Sequence, residues 1–227
     1  TIGITGTRGK TSSTLLLTHI LQTAKRSAIA SGNVRRQPLL EILPTLKSTD
    51  TAVLEVSSFQ LELLPIIKRS VDIAIITNLH VDHLSRHGTM EEYGRVKEYL
   101  FRYQTPESSS IINADHLATR RMARAVSGRL WWYTTGSKPV GVFCVFVQHG
   151  WVMERSFGNT QRLFPLSLWT IPGAHQLSNL LAVVAAARVQ GISVQHIIRG
   201  IKSWKGVEHR QEIVRTWKGN RFINDTT

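Results

Sequence analysis

Cysteine is nearly missing from this sequence, with Cys144 standing alone among 227 residues. A single thiol closes no internal disulfide, so a stapled secreted scaffold is excluded and a reducing compartment is the expected setting. Cys144 itself reads as a small buried hydrophobe in a strand. Without cysteine pairs a tetrahedral zinc centre has no framework. Long apolar runs are absent too. Those present, such as residues 180–187, are far too short to span a bilayer, and no charged-then-apolar leader opens the chain. No membrane insertion is expected, and the cytoplasm is the expected location. Acid is scarce: 15 Asp and Glu face 28 Lys and Arg, leaving a formal charge of +13. Such an excess suits nucleic acid, an anionic membrane surface or acidic small substrates. The cations are scattered, with pairs at Arg35-Arg36, Lys68-Arg69 and Arg120-Arg121, and no basic tract is interleaved with aromatics. Nucleic acid is therefore not the expected partner. Internal repeats and low-complexity stretches are also lacking.

What is present alternates. Apolar segments at 2–5, 52–56, 71–77 and 110–113 read as buried strands separated by helical patterns. This is the signature of an α/β fold, a mostly parallel P-loop-type sheet with helices on both faces. Near Val140 the texture changes: strands at 142–148 and 151–154, joined by His149-Gly150, predict a small antiparallel β flap or edge. A helix follows over 175–190, apolar at Leu177, Leu180, Leu181, Val184 and Ala187 and closed by Gly191 as a left-handed cap. A shorter helix spans 194–203, and strands at 212–217 and 221–224 flank the turn Lys218-Gly219-Asn220. The chain opens on a strand without Met and closes in a polar loop, so a central piece of a larger protein is expected.

The run Thr5-Gly6-Thr7-Arg8-Gly9-Lys10-Thr11 lies between the first strand and a helical stretch at 14–21. A strand turning on glycines into a helix aims backbone N–H groups and the positive end of the helix dipole at one spot, and Lys10 adds a full charge there. Thr11 follows as the hydroxyl suited to Mg2+. Only G-x-x-G-K-T is met, since Ile4 occupies the position of the usual first glycine; an ordinary glycine-rich turn is the alternative. Glu55 ends a strand, where open α/β sheets bind ligands, and Ser57 and Ser58 follow with two hydroxyls. After the strand at 71–77 come His80, Asp82 and His83. Asp82 with His83 suits a hard cation such as Mg2+, whereas His80 and His87 read equally well as exposed loop residues. Thr89 and Glu92 form a T-x-x-E capping box on a helix with Tyr93, Val96, Leu100 and Phe101 on one face. Lys97 lies on that same face. Either it is paired or chemically altered, or it snorkels with its head in water, and the residues alone favour the latter. Arg210 has the chemistry to grip a phosphate and Asp225 to accept from ribose hydroxyls.

Read in order, TGTRGKTS, EVSSFQLE, TNLHVDHLSRHGTMEEYGRVKEYLF, PGAHQLSNLLAVVAAA and HRQEIV with NRFINDTT resemble the Mur ligases of peptidoglycan precursor synthesis. The resemblance covers nearly the whole chain. Residues 57–62 and 222–225 look most like the branch that adds D-glutamate to UDP-N-acetylmuramoyl-L-alanine. It implies that residues 1–227 form the central ATP-binding domain, flanked in the parent by an amino-terminal UDP-binding domain and a carboxyl-terminal domain absent here. Gly6, Thr7, Gly9, Lys10 and Thr11 would cradle the ATP phosphates. Thr11 and Glu55 would serve one Mg2+, and His83 with a carbamylated Lys97 a second. Asn33, Ser57 and Gln60 would face the UDP-muramoyl substrate, Gln176 and Asn179 the adenine, Arg210 the phosphates and Asp225 the ribose. Lys10, Lys97 and His83 would carry the chemistry, formation of an acyl phosphate from which the D-glutamate amine displaces phosphate to form an amide. A monomer is expected, inactive as an isolated piece, and no residue stands out as general base for the amine. Arg8 replaces the usual Asn of the loop, a feature shared with poly-γ-glutamate synthases. That relative, a folylpolyglutamate synthase or a nucleotide-binding module without turnover are the alternatives.

Overall fold

The computed structural model describes residues 1–34 and 38–226; the Arg35-Arg36 pair lies outside the described residues. Nine strands form one sheet in the order β2-β3-β1-β4-β5-β6-β7-β8-β9. These are β1 (Ile2–Thr5), β2 (Ala28–Gly32), β3 (Thr51–Glu55), β4 (Ile73–Ile76), β5 (Ser109–Asn113), β6 (Arg129–Thr134), β7 (Phe143–Gln148), β8 (Trp151–Ser156) and β9 (Asn159–Pro165). The first seven run parallel, and β8 and β9 extend the sheet antiparallel. The β7–β8 turn places both His149 and Gly150 at positive φ, 49° and 75°, which matches the twist of a two-residue hairpin. Between and beyond the strands run α1 (Lys10–Thr23), α2 (Leu39–Ile42), α3 (Ser58–Leu61), α4 (Leu64–Ile67), α5 (Leu84–His87), α6 (Met90–Arg102), α7 (Leu117–Met122), α8 (Ala174–Val189) and α9 (Val194–Ser203). A separate antiparallel pair, β10 (Glu212–Trp217) and β11 (Asn220–Asn224), follows.

Both faces of the sheet are covered, as continuous apolar strands require. In β4 the alternation of side chains sends Ile73 and Ile75 into a core shared with Leu16, Leu17 and Ile20 of α1 and with α8. Ala74 and Ile76 enter a second core with Val96, Leu100 and Phe101 of α6. Residues 180–187 of α8 are buried at every position, so this helix is apolar all round. Small residues also set close approaches: a Cβ on Gly200 of α9 would meet Ile20 Cγ1 at 2.7 Å. At the far end of α8, Arg188 donates from Nε to buried Glu154 at 3.0 Å and from a terminal nitrogen to the Ile192 carbonyl, and Gln161 donates to the same carboxylate at 2.8 Å. This network fastens the antiparallel edge to the parallel core.

The expected strands fall within two residues of the observed ones, and Gly191 takes its left-handed cap at φ 72°. Three strands went unsignalled. β2 is Ala-Ile-Ala-Ser-Gly, small residues with weak strand preference. β6 carries Trp and Tyr without a clean alternation, and β9 is polar over its exposed first half. Helix α1 begins at Lys10 rather than near residue 14, because the phosphate-loop turn itself starts the helix. The box expected at Thr89 is only half formed. Thr89 Oγ1 accepts from the Glu92 N–H at 3.1 Å, while the Glu92 carboxylate turns to Arg95.

Candidate phosphate-binding site

β1 ends in a loop that admits only glycine at two points. Gly6 has φ 141° and Gly9 φ 84°. A Cβ on Gly6 would overlap the Thr77 hydroxyl, and one on Gly9 would overlap the Asn179 amide. The loop is fastened from the end of β4. Thr77 donates its hydroxyl to the Arg8 carbonyl at 2.6 Å, and Asn78 both accepts from the Arg8 N–H at 2.9 Å and donates to its carbonyl at 3.0 Å. Gly9 caps α1, and no side chain among the described residues caps it. First-turn N–H groups therefore face open space at the positive end of a long helix, an arrangement suited to an anion.

Two lysines converge on one carbonyl of this loop. Lys10 Nζ donates to Gly6 O at 3.1 Å and to Thr7 O at 3.0 Å. Lys97 Nζ, from α6, donates to the same Gly6 O at 3.2 Å and to Thr5 Oγ1 at 3.4 Å, over the Tyr93 ring at 4.5 Å. Lys97 is 1% exposed, which overturns the snorkelling reading. The helical period correctly gave the face; the depth comes from β1 and the loop closing over it. Burial, reinforced by the neighbouring charge of Lys10, lowers the Lys97 pKa to about 7. Burial lowers that of Lys10 too, opposed by Glu55 and Asp82 and reinforced by Arg210.

Glu55, at the end of β3 and buried, accepts from Thr11 Oγ1 at 2.7 Å and from Asn33 Nδ2 at 3.3 Å. Ser57 and Gln60 engage each other. The Gln60 side-chain oxygen accepts from the Ser57 N–H at 2.8 Å, and Ser57 Oγ accepts from the Gln60 N–H at 3.3 Å, completing a full capping box on α3. His83, at φ 53°, tilts against Phe59 and Tyr93. His87 is not an exposed loop residue. It is buried, its Nε2 3.0 Å from Ser58 Oγ and its Nδ1 3.6 Å from Glu62, stacked on Phe59 and tilted against Tyr93. Burial lowers its pKa against the opposing pull of Glu62. His80 is exposed as expected.

Two spaces meet here. A cavity of about 200 Å3 is lined by Gly6, Ser57, His83, Tyr93 and Lys97, together with Lys10 and Asn33. Lys10 and Asn33 also line a groove of about 1790 Å3 that gathers Thr7, Gly9, Thr11, Glu55, Gln176, Asn179, Arg210 and Asp225. Gln60 alone of the expected residues lines neither. Thr77, Asn78 and the burial of His87 against Ser58 are the site elements that sequence reading missed. Asn78 carried the same signal as Glu55, a polar residue just past an apolar strand.

A family model described as the Mur ligase middle domain matches residues 4–187. The chain belongs to the Mur ligase family. It is 36% identical over 225 residues to the UDP-N-acetylmuramoylalanine–D-glutamate ligase of Symbiobacterium thermophilum, covering 99% of this chain and 49% of that protein. It is 38% identical over 232 residues to the protein of the same description from Roseiflexus sp., again covering 99% and 49%. The chain thus spans about half the length of the curated relatives it matches. Its fold is shared with the MurF ligase of Thermotoga maritima, solved in complex with ADP, at a TM-score of 0.73 and 23% identity over 99% of this chain and 52% of that one. As a Mur ligase middle domain, the chain places its glycine loop, Glu55 and Lys97 around one cavity and one groove.

Proposed function

We propose that this chain is the central ATP-binding domain, residues 1–227, of an ATP-dependent amide ligase that joins D-glutamate to UDP-N-acetylmuramoyl-L-alanine. The observation that carries this reading is the convergence of Lys10, the Thr11–Glu55 pair and buried Lys97 on one glycine loop. The names of the relatives supply the amino acid and the acceptor, and the ADP of the Thermotoga maritima structure supports a nucleotide in the groove. In this reading the loop N–H groups and Lys10 hold the ATP phosphates, Gln176 and Asn179 approach the adenine, and Arg210 and Asp225 meet phosphate and ribose. Asn33, Ser57 and Gln60 face the muramoyl substrate.

The donor set suits Mg2+. Among the described residues no group of three or more His, Cys, Asp or Glu gathers. A cation that keeps its waters and leans on one carboxylate, a threonine hydroxyl and substrate phosphates needs no such cage. Thr11 and Glu55 would hold one ion, and His83 with Lys97 would hold a second. Mg2+ held by these residues would supply neutralisation of phosphate charge. Lys97 contributes as a carbamate: its neutral amine, available near pH 7, adds to carbon dioxide and releases a proton to solvent, turning a buried cation into an anion. Lys10 stabilises charge on the transferring phosphoryl group while the substrate carboxylate takes it from ATP, releasing ADP; the amine then attacks the acyl carbon of the resulting acyl phosphate and displaces inorganic phosphate to form the amide.

No helix of the described residues is long and apolar enough to cross a membrane, and nucleotide-linked substrates fit a cytoplasmic enzyme, taken here as a monomer. The isolated domain is inactive in this reading, because acceptor and amino acid need the rest of the parent. The test is ADP release by the full-length protein with UDP-N-acetylmuramoyl-L-alanine and D-glutamate, each omitted in turn. Release dependent on both supports the reading. Release driven instead by folate or poly-γ-glutamate acceptors would transfer the chain to the corresponding branch, and Arg8 of the loop is the residue that resembles the poly-γ-glutamate synthases.

A further inference from the structure

The phosphate loop and Glu55 lie at the carboxyl edge of the parallel strands, and a group of exposed cations lies at the other edge. Residues just before each parallel strand share that edge by topology. Lys25 and Arg26 precede β2, Lys68 and Arg69 precede β4, and Arg129 opens β6, all exposed. None of the five makes an ion pair among the described residues. The carboxylates on the same edge are Asp50, which accepts from the Lys47 N–H at 2.7 Å, Asp72, which accepts from the Thr1 hydroxyl at 2.9 Å, and exposed Glu107 before β5. Scattered in sequence, these cations share one edge of the sheet and outnumber the acids on it.

An apolar projection stands beside these cations. Leu63, Ile66 and Ile67, on and beside α4, are 58%, 77% and 61% exposed, immediately before Lys68 and Arg69. The segment is rigidly seated. Ser70 Oγ donates to the Leu100 carbonyl at 2.7 Å, and Gln104 donates to the Val71 carbonyl at 2.9 Å, tying it to the end of α6. Single exposed aliphatic residues need no explanation; three on one turn flanked by unpaired cations do. Isoleucines offer no platform for stacking bases, so the combination does not suit nucleic acid. Aliphatic side chains that enter the acyl boundary beneath lysine and arginine heads suit an anionic bilayer.

We propose that the amino-terminal edge of the sheet is a peripheral docking surface for an anionic phospholipid membrane, with Ile66 and Ile67 as the inserted contact and Lys68 and Arg69 meeting lipid phosphates. The surface is remote from the nucleotide groove, so the proposal does not rest on the ligase reading. The test is co-sedimentation of the full-length protein with vesicles of phosphatidylglycerol and phosphatidylcholine, against phosphatidylcholine alone, at low and high salt. Binding to the anionic vesicles only, weakened by salt, is expected. Lys68→Gln/Arg69→Gln should lower partitioning roughly thirty-fold, about five-fold for each charge near the surface. Ile66→Ser/Ile67→Ser should lower it while leaving the salt dependence in place. Both variants change exposed side chains, and unchanged ADP release in solution certifies the fold. Equal binding to neutral vesicles, no binding, variants that bind like wild type, or preferential binding to a short DNA duplex would each overturn the proposal.

Discussion

Replacing Lys97 with methionine separates what the fold prefers from what the chemistry requires. The ammonium head lies beside Gly6 O and Thr5 Oγ1, and burial, reinforced by the charge of Lys10, holds its pKa at about 7 against an ordinary 10.5. At about 1.4 kcal/mol for each pKa unit, that gap corresponds to roughly 5 kcal/mol disfavouring the charged form, as a ceiling. The sign follows from proton counts. Between about pH 7 and 10.5 the unfolded chain holds more protons on this residue than the folded one, so stability rises with pH across that window and the penalty is complete below it. Methionine keeps most of the volume and carries no charge, and Gly6 O retains Lys10 as donor. Lys97→Met should therefore be more stable than wild type at pH 7, by about 2–4 kcal/mol after local relaxation, and should lose the rise toward pH 10. Urea unfolding of the full-length protein across that range reads both effects. Bicarbonate, by converting the amine to a carbamate, should flatten the wild-type dependence and leave the variant unchanged. Lys97→Met and Lys97→Ala should both abolish ADP release. Unfolding curves identical to wild type at every pH would refute the electrostatic argument, and retained turnover would refute the catalytic one.

Gly9→Ala should reduce nucleotide affinity at least ten-fold, measured by titration calorimetry with ADP, because a Cβ there collides with the Asn179 amide and φ 84° strains any L residue. Asn78→Ala removes the bracket on Arg8 and should raise the KM for ATP several-fold with a stability loss of about 1 kcal/mol, readable by steady-state kinetics and thermal melting. Arg188→Met leaves buried Glu154 with only Gln161, so a loss of about 3 kcal/mol is expected in denaturant titration, largely restored by adding Glu154→Gln.

The parts of the site legible in the sequence are those that one segment determines by itself. The glycine loop is of this kind. Gly6 and Gly9 sit at positive φ because a chain leaving a buried strand for a helix around an anion has few other backbone routes, and the residues announce it without reference to the rest of the molecule. Glu55 is similar, since the end of an apolar strand in a parallel sheet fixes its edge. Depth is different, because it depends on what the other segments do. The period of α6 put Lys97 on the apolar face, but whether its head reached water was decided by β1 and the loop, more than eighty residues away in sequence. His87 shows the same limit in reverse. Nothing local to Ser85-Arg86-His87 marks a buried ring; Phe59, Ser58 and Tyr93 bury it from two other elements. Ser57 and Gln60 illustrate a further ambiguity, for the same side chains that suit a substrate also satisfy the first turn of α3. A ligand reaching them must either displace that capping box or accept the hydrogen-bonding positions it leaves free. Displacing the box would cost about 1 kcal/mol, the amount such a cap contributes to the fold.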